Sequence, residues 1–171
     1  MARIAILATD GFEQSELVDP RRILKDAGHE VEVIAPKSGS IKGWKDGDWG
    51  EAVDVDIALA DADATRYQAL VLPGGVINPD KLRGEEKAIA FIRAMAAADK
   101  PVAAICHGPW LLVEAGLVKD KAATSYASIR TDMENAGAKW RDEAVVNDGG
   151  LITSRKPADI PAFTQAVIDA L

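Results

Sequence analysis

Residues 3–36 read RIAILATDGFEQSELVDPRRILKDAGHEVEVIAP, and this stretch decides the fold class. Arg3 to Ala8 is short and aliphatic and is closed by Thr9-Asp10-Gly11, the pattern of a buried strand. From Glu13 to Ala27 the apolar residues Leu17, Ile23 and Leu24 recur at helical spacing, with Gly28 following as a C-terminal cap. Val31 to Ala35 is a second aliphatic strand, stopped by Pro36. Strand, helix and strand in this order predict a right-handed crossover in a parallel sheet.

The alternation continues outward from this unit. Ala69 to Leu72 (ALVL) and Pro101 to Ile105 (PVAAI) read as two more buried strands. Glu85 to Ala97 is rich in Ala, Glu and Lys and predicts a helix. His107 to Ala115 predicts another helix, closed by Gly116, and Met133, Ala136 and Gly137 mark a further one. Val145-Val146 and Leu151-Ile152-Thr153 flank Asn147-Asp148-Gly149-Gly150, a hairpin signal. Pro157 to Leu171 predicts the last helix. Ser38 to Asp56 stands apart. Four glycines and Trp44 and Trp49 predict a hairpin or irregular excursion, with the two Trp as packing or interface residues and an aromatic ligand box as the alternative. The whole pattern predicts an α/β three-layer sandwich.

Composition bounds what this sandwich can be. A chain of 171 residues, 48% hydrophobic and 27% charged, predicts a single globular domain over 1–171 and argues against disorder or a coiled coil. One cysteine excludes an intramolecular disulfide and points to a reducing compartment. Two histidines and that cysteine are too few for an ordinary structural zinc site, and no metal or other cofactor is expected. A net charge of -7 disfavours nucleic-acid binding, which needs a positive field. The N-terminus lacks the features of a signal peptide, and no apolar run approaches the ~18 residues of a membrane span. The expectation is a soluble cytoplasmic protein with no membrane partner.

In open α/β sheets, sites form beyond the carboxyl ends of the strands. Three loops qualify, after Ala8, Leu72 and Ile105. The last reads Ala104-Ile105-Cys106-His107-Gly108-Pro109, a buried strand turning sharply into a helix. Small residues flank the turn, as in a nucleophile elbow. A cysteine at a helix start feels the positive end of the macrodipole, which favours thiolate, and His107 is a neighbouring proton carrier. Pro73-Gly74-Gly75 lets backbone approach a ligand closely, and its amides can hold an oxyanion. Glu13 and Glu16 sit three apart in a first helical turn, with one of them aimed at Cys106.

These pieces together resemble the ThiJ/PfpI superfamily, in particular its intracellular protease I branch. The matching segments are Gly11-Phe12-Glu13 with Glu16-Leu17, Gly28-His29-Glu30-Val31, Leu72-Pro73-Gly74-Gly75, Ile105-Cys106-His107-Gly108-Pro109, Thr124-Ser125-Tyr126 and Ser154 to Asp159. The resemblance implies a flavodoxin-like fold with a mainly parallel sheet. It implies a nucleophilic Cys106, a neighbouring His107, oxyanion amides at Gly75 and His107, and a glutamate touching the sulfur. Glu16 is the first candidate for that glutamate and Glu13 the second. Tyr126 matches a tyrosine lining the family's site. A third acid, Asp80, would come from a neighbouring subunit, so a dimer or hexamer is implied. The family usually has Glu there, one methylene longer. Trp110 replaces a usually polar residue. The implied activity is cysteine-dependent, cofactor-free hydrolysis of small dicarbonyls or glycated adducts on proteins or peptides. A peptidase of the PfpI type, and a stress sensor or chaperone acting through Cys106 oxidation, are the alternatives.

Overall fold

The computed structural model describes residues 1–171. The strands are β1 (Arg3–Leu7), β2 (Phe12–Glu13), β3 (Glu30–Ala35), β4 (Gly39–Lys45), β5 (Asp48–Val55), β6 (Ile57–Ala58), β7 (Ala69–Leu72), β8 (Val102–Ile105), β9 (Ala122–Ala123), β10 (Lys139–Trp140), β11 (Val145–Asp148) and β12 (Leu151–Ser154). The helices are α1 (Gln14–Asp26), α2 (Ile77–Leu82), α3 (Glu86–Ala97), α4 (Pro109–Ala115), α5 (Arg130–Asn135) and α6 (Ile160–Asp169).

The main sheet has seven strands in the order β11-β12-β8-β7-β1-β3-β6. Every neighbour pair is parallel except β11 with β12. Both faces are covered, which is why the strands are aliphatic throughout rather than alternating. Alternate residues still separate the two cores. Ala5, Leu7, Leu70, Leu72, Val102 and Ala104 face α3, α4 and α5, meeting Phe91, Ile92, Met95, Leu111, Leu112 and Met133. Ile4, Ile6, Val71, Ala103 and Ile105 face α1 and α6, meeting Leu17, Leu24, Phe163 and Val167. Each Leu or Phe buried this way contributes roughly 1.5–3 kcal/mol against exposure. This is the three-layer, flavodoxin-like sandwich.

From β1 the chain moves to β3 on one side. After β6 it returns to β7 on the other side of β1. That reversal opens a crevice beyond the carboxyl ends of β1 and β7, the usual ligand position in such sheets. Two features of this region are absent from the sequence reading. The segment after Pro73-Gly74-Gly75 forms the short helix α2, and Phe12–Glu13 forms a two-residue strand, β2. The excursion is a β4–β5 hairpin, and it pairs in parallel with β2 through Phe12↔Gly43 and Glu13↔Trp44.

Candidate active site

Cys106 follows the last residue of β8 and has φ 63°, in the left-handed region. A residue with a Cβ sits there at a cost of about 1–3 kcal/mol unless its surroundings enforce it. Here they do. The Cys106 N–H donates to Ser154 O at 3.0 Å, and its carbonyl accepts from Tyr126 N–H at 2.8 Å. The Gly108 N–H closes the turn on Ile105 O at 2.9 Å. Because the turn occupies residues 106–108, α4 starts at Pro109 and not at His107, as the sequence suggested.

The sulfur is nearly buried, Cys106 being 7% exposed. His107 Nδ1 lies 3.2 Å from Sγ. The other ring nitrogen, Nε2, lies 3.3 Å from Ser128 Oγ. The imidazole stacks on Tyr126, with centroids 4.9 Å apart and planes 26° apart, and Trp110 stands edge-on to it at 5.1 Å. Burial holds His107 below its usual pKa, so the ring is neutral at neutral pH.

Glu16, in the first turn of α1, is fully buried. Its Oε1 accepts from Gly74 N–H at 3.0 Å, while Oε2 is buried with no nitrogen or oxygen partner. Burial and the nearby charge of Glu13 push its pKa up to about 8, against the pull of the Gly74 and Gly75 amides. At neutral pH the carboxyl therefore keeps its proton and can donate it toward the sulfur. Burial pushes the Cys106 thiol up as well, followed by the charge of an ionised Glu16. The backbone amides of Gly75 and His107 pull it down. The helix-start argument for a free thiolate thus omits the desolvation of the sulfur. The two acids share their protons as a coupled pair, and a protonated Glu16 removes the repulsion.

Gly74 and Gly75 make this proximity sterically possible. A Cβ at Gly74 would lie 2.6 Å from Glu16 Oε1 and 2.7 Å from Cys106 Cβ. Gly75 has φ 77°, and a Cβ there would strike Gly11 O at 2.6 Å and Glu13 N at 2.7 Å. Buried Asn78 fastens the turn, accepting from Thr9 N–H and donating to the carbonyls of Pro73 and Gly74.

A cavity of about 580 Å³ gathers Glu13, Glu16, Gly75, Cys106, His107 and Tyr126 with Trp44, Ser128 and Pro157. Six of the seven site residues expected from the sequence, Glu13, Glu16, Gly75, Cys106, His107 and Tyr126, meet here. Asp80 does not. It lies on α2, about half exposed, paired with Arg83. The Arg83 guanidinium sits 4.5 Å over the Trp110 ring, so Trp110 backs His107 instead of lining the cavity. Trp44 lines it and Trp49 does not, so the ligand-side alternative for the hairpin tryptophans applies to Trp44 alone. The sequence does not point to Ser128, which meets His107 from 21 residues away, or to Asn78, which ties the local Pro73-Gly74 carbonyls to the distant Thr9 N–H. No group of three or more His, Cys, Asp or Glu side chains is placed to hold a metal ion.

The family model described as DJ-1/PfpI family matches residues 2–170. The chain belongs to the DJ-1/PfpI family. Similar relatives include "Deglycase TK1284" of Thermococcus kodakarensis, 43% identical over 169 residues, covering 99% of both chains. "General stress protein 18" of Bacillus subtilis is 44% identical over 164 residues, covering 95% of this chain and 94% of its own. Among solved structures, a protein from Anabaena variabilis with DJ-1/ThiJ/PfpI-like and ferritin-like domains superposes with a TM-score of 0.93 at 39% identity. The match covers 99% of this DJ-1/PfpI chain and 48% of that longer one. The fold expected from the sequence is that of the family. No helix is long and apolar enough to cross a membrane.

Proposed function

We propose that this protein is a cysteine-dependent deglycase that acts on adducts of small dicarbonyls with amines. The observation that carries this is the strained, nearly buried Cys106 placed between His107 and a proton-bearing Glu16 in one cavity. Names of similar relatives support the same class. In this reading Sγ adds to the electrophilic carbon. The S–C bond forms as the C=O π pair moves to oxygen, and the amides of Gly75 and His107 stabilise that oxyanion. His107, neutral and within reach of Sγ, carries protons between sulfur, oxygen and the departing amine. For a methylglyoxal adduct the balance is adduct plus water giving free amine plus lactate. No outside oxidant or cofactor enters.

The cavity volume favours small adducts over long peptides. Asp80 belongs to this proposal as an acid reaching His107 of a neighbouring copy in a dimer or larger ring, since His107 meets no carboxylate within its own chain. The decisive test is a substrate panel run in parallel on wild type and Cys106→Ala. Methylglyoxal, its adducts with amino acids and an unmodified peptide are the arms. Amine and lactate release by wild type alone supports the deglycase; peptide cleavage alone replaces it with a peptidase. Oxidation by peroxide with no turnover of any arm replaces it with a redox sensor, the thiolate giving sulfenate as peroxide is reduced to water.

A further inference from the structure

The cavity has two unlike walls. On one, Tyr126 covers His107 with its ring and is 41% exposed. On the other, Glu13 and Trp44 are direct partners in the β2–β4 pairing. Trp44 is braced from outside by Trp49, ring against ring at 5.2 Å and 84°. The brace follows from the hairpin register, which sets Trp44 opposite Trp49. The Glu13 carboxylate has no hydrogen bond or ion pair within the chain, although it faces the cavity. Asp46, in the hairpin turn, adds a second negative charge beside it. Not one Lys or Arg side chain lines this cavity.

An aromatic face next to an unpaired carboxylate suits one kind of ligand group, a flat cation. A guanidinium stacks on indole and donates to a carboxylate in a single pose. An ammonium satisfies the charge but not the plane, and an anion at this wall meets the charges of Glu13 and Asp46 with no Lys or Arg side chain to offset them. We propose that Trp44 and Glu13 form a recognition wall that selects carbonyl adducts carried on arginine side chains. This deepens the deglycase reading and rests on it for the reaction, but the recognition itself can be measured without any turnover.

Two measurements separate the layers. In the first, Nα-acetylarginine amide, unreactive, is titrated against Cys106→Ala and against Cys106→Ala combined with Trp44→Ala or Glu13→Gln, read by calorimetry. Binding by Cys106→Ala that weakens about tenfold with either second change, with Nα-acetylglutamate silent, supports the wall. It does so even if deglycation is never seen. In the second, methylglyoxal adducts of Nα-acetylarginine and Nα-acetyllysine are compared as substrates, with free methylglyoxal as reference. Trp44→Ala should lower kcat/KM for the arginine adduct about tenfold more than for free methylglyoxal, mostly through KM, with Trp44→Phe recovering part of it. Active wild type that treats the arginine and lysine adducts alike, with ratios unmoved by Trp44→Ala, overturns the wall and leaves the deglycase standing.

Discussion

Glu16 and Cys106 meet across a single glycine. The space a methyl group would need at Gly74 is filled by Glu16 Oε1 on one side and Cys106 Cβ on the other. Gly74→Ala should therefore separate the carboxyl from the thiol or force both to shift, at a cost of about 1–3 kcal/mol in stability. We expect a folded protein with a lower melting temperature and a Cys106 alkylation profile that no longer depends on Glu16. Retention of the wild-type alkylation profile would show that the two groups do not need this spacing.

Glu16 should cost the fold stability as the pH rises. Its carboxyl titrates at about 8 in the fold against 4.5 when exposed. The folded state holds the proton more tightly, so its advantage is full below 4.5 and is lost as pH rises toward 8. Glu16→Gln keeps an oxygen for the Gly74 N–H and has nothing to ionise. The variant should match wild type near pH 4.5 and exceed it at pH 8, by on the order of 4 kcal/mol at most. Denaturant melts at the two pH values read this directly; a wild type that gains on the variant with rising pH speaks against it.

The elbow makes a prediction about two inactive variants. Cys106→Ala and Cys106→Gly both remove the sulfur, but only Ala keeps a Cβ at a positive φ. A glycine ordinarily costs stability relative to alanine through the unfolded chain. Here that order should be cancelled or reversed, leaving Cys106→Gly equal to or up to ~1 kcal/mol more stable than Cys106→Ala. Alanine winning by a clear margin in urea melts would mean the strain is not there.

His107 supplies a pH limb. Burial lowers its pKa below 6.5, so the neutral ring persists at neutral pH and is lost only as pH falls further. The acidic limb of kcat/KM should lie below 6.5. Ser128→Ala frees Nε2 and should reduce kcat more than it raises KM, without unfolding the chain. A limb centred above neutrality would assign it to another group.

Assembly can be tested by complementation. Asp80→Ala should slow turnover while the subunit stays folded, because its only partner within the chain is an exposed Arg83. Mixing it with inactive Cys106→Ala should raise activity above either alone, since hybrid sites then combine an intact thiol with an intact aspartate. Full activity from a species that sediments as a monomer contradicts the arrangement.

Much of this was legible in the residues. The strands RIAIL, ALVL and VAAI and the glycine-rich turn beside Cys-His-Gly-Pro carry local signals, and each falls within a residue or two of its expected place. What escaped depends on contacts between segments distant in sequence. β2 is two residues long and exists only because the hairpin docks on it. Trp44 and Trp49 alternate like any hairpin pair, and nothing local says which of them meets the cavity. Ser128 and Asn78 act through partners 21 and 69 residues away in sequence. The thiol's titration was misjudged for a similar reason. A helix start is visible in sequence, but the desolvation of the sulfur is a property of the packed molecule.

The hairpin is also a separable part. Cys106 is fastened by Ser154 and Tyr126. The β4–β5 ribbon belongs to a different sheet and holds to the body through β2, Gly11, Asp10 and Gln14 and through the buried side chains of Ile41 and Val53. Apart from the core-facing Ile41 and Val53, residues of the ribbon can change in length or character with no hydrogen bond to the elbow at stake. Inheritance can therefore revise what enters the pocket at one rate and the thiol that waits there at another, and a laboratory graft of this ribbon from one relative to another has a natural boundary to cut along.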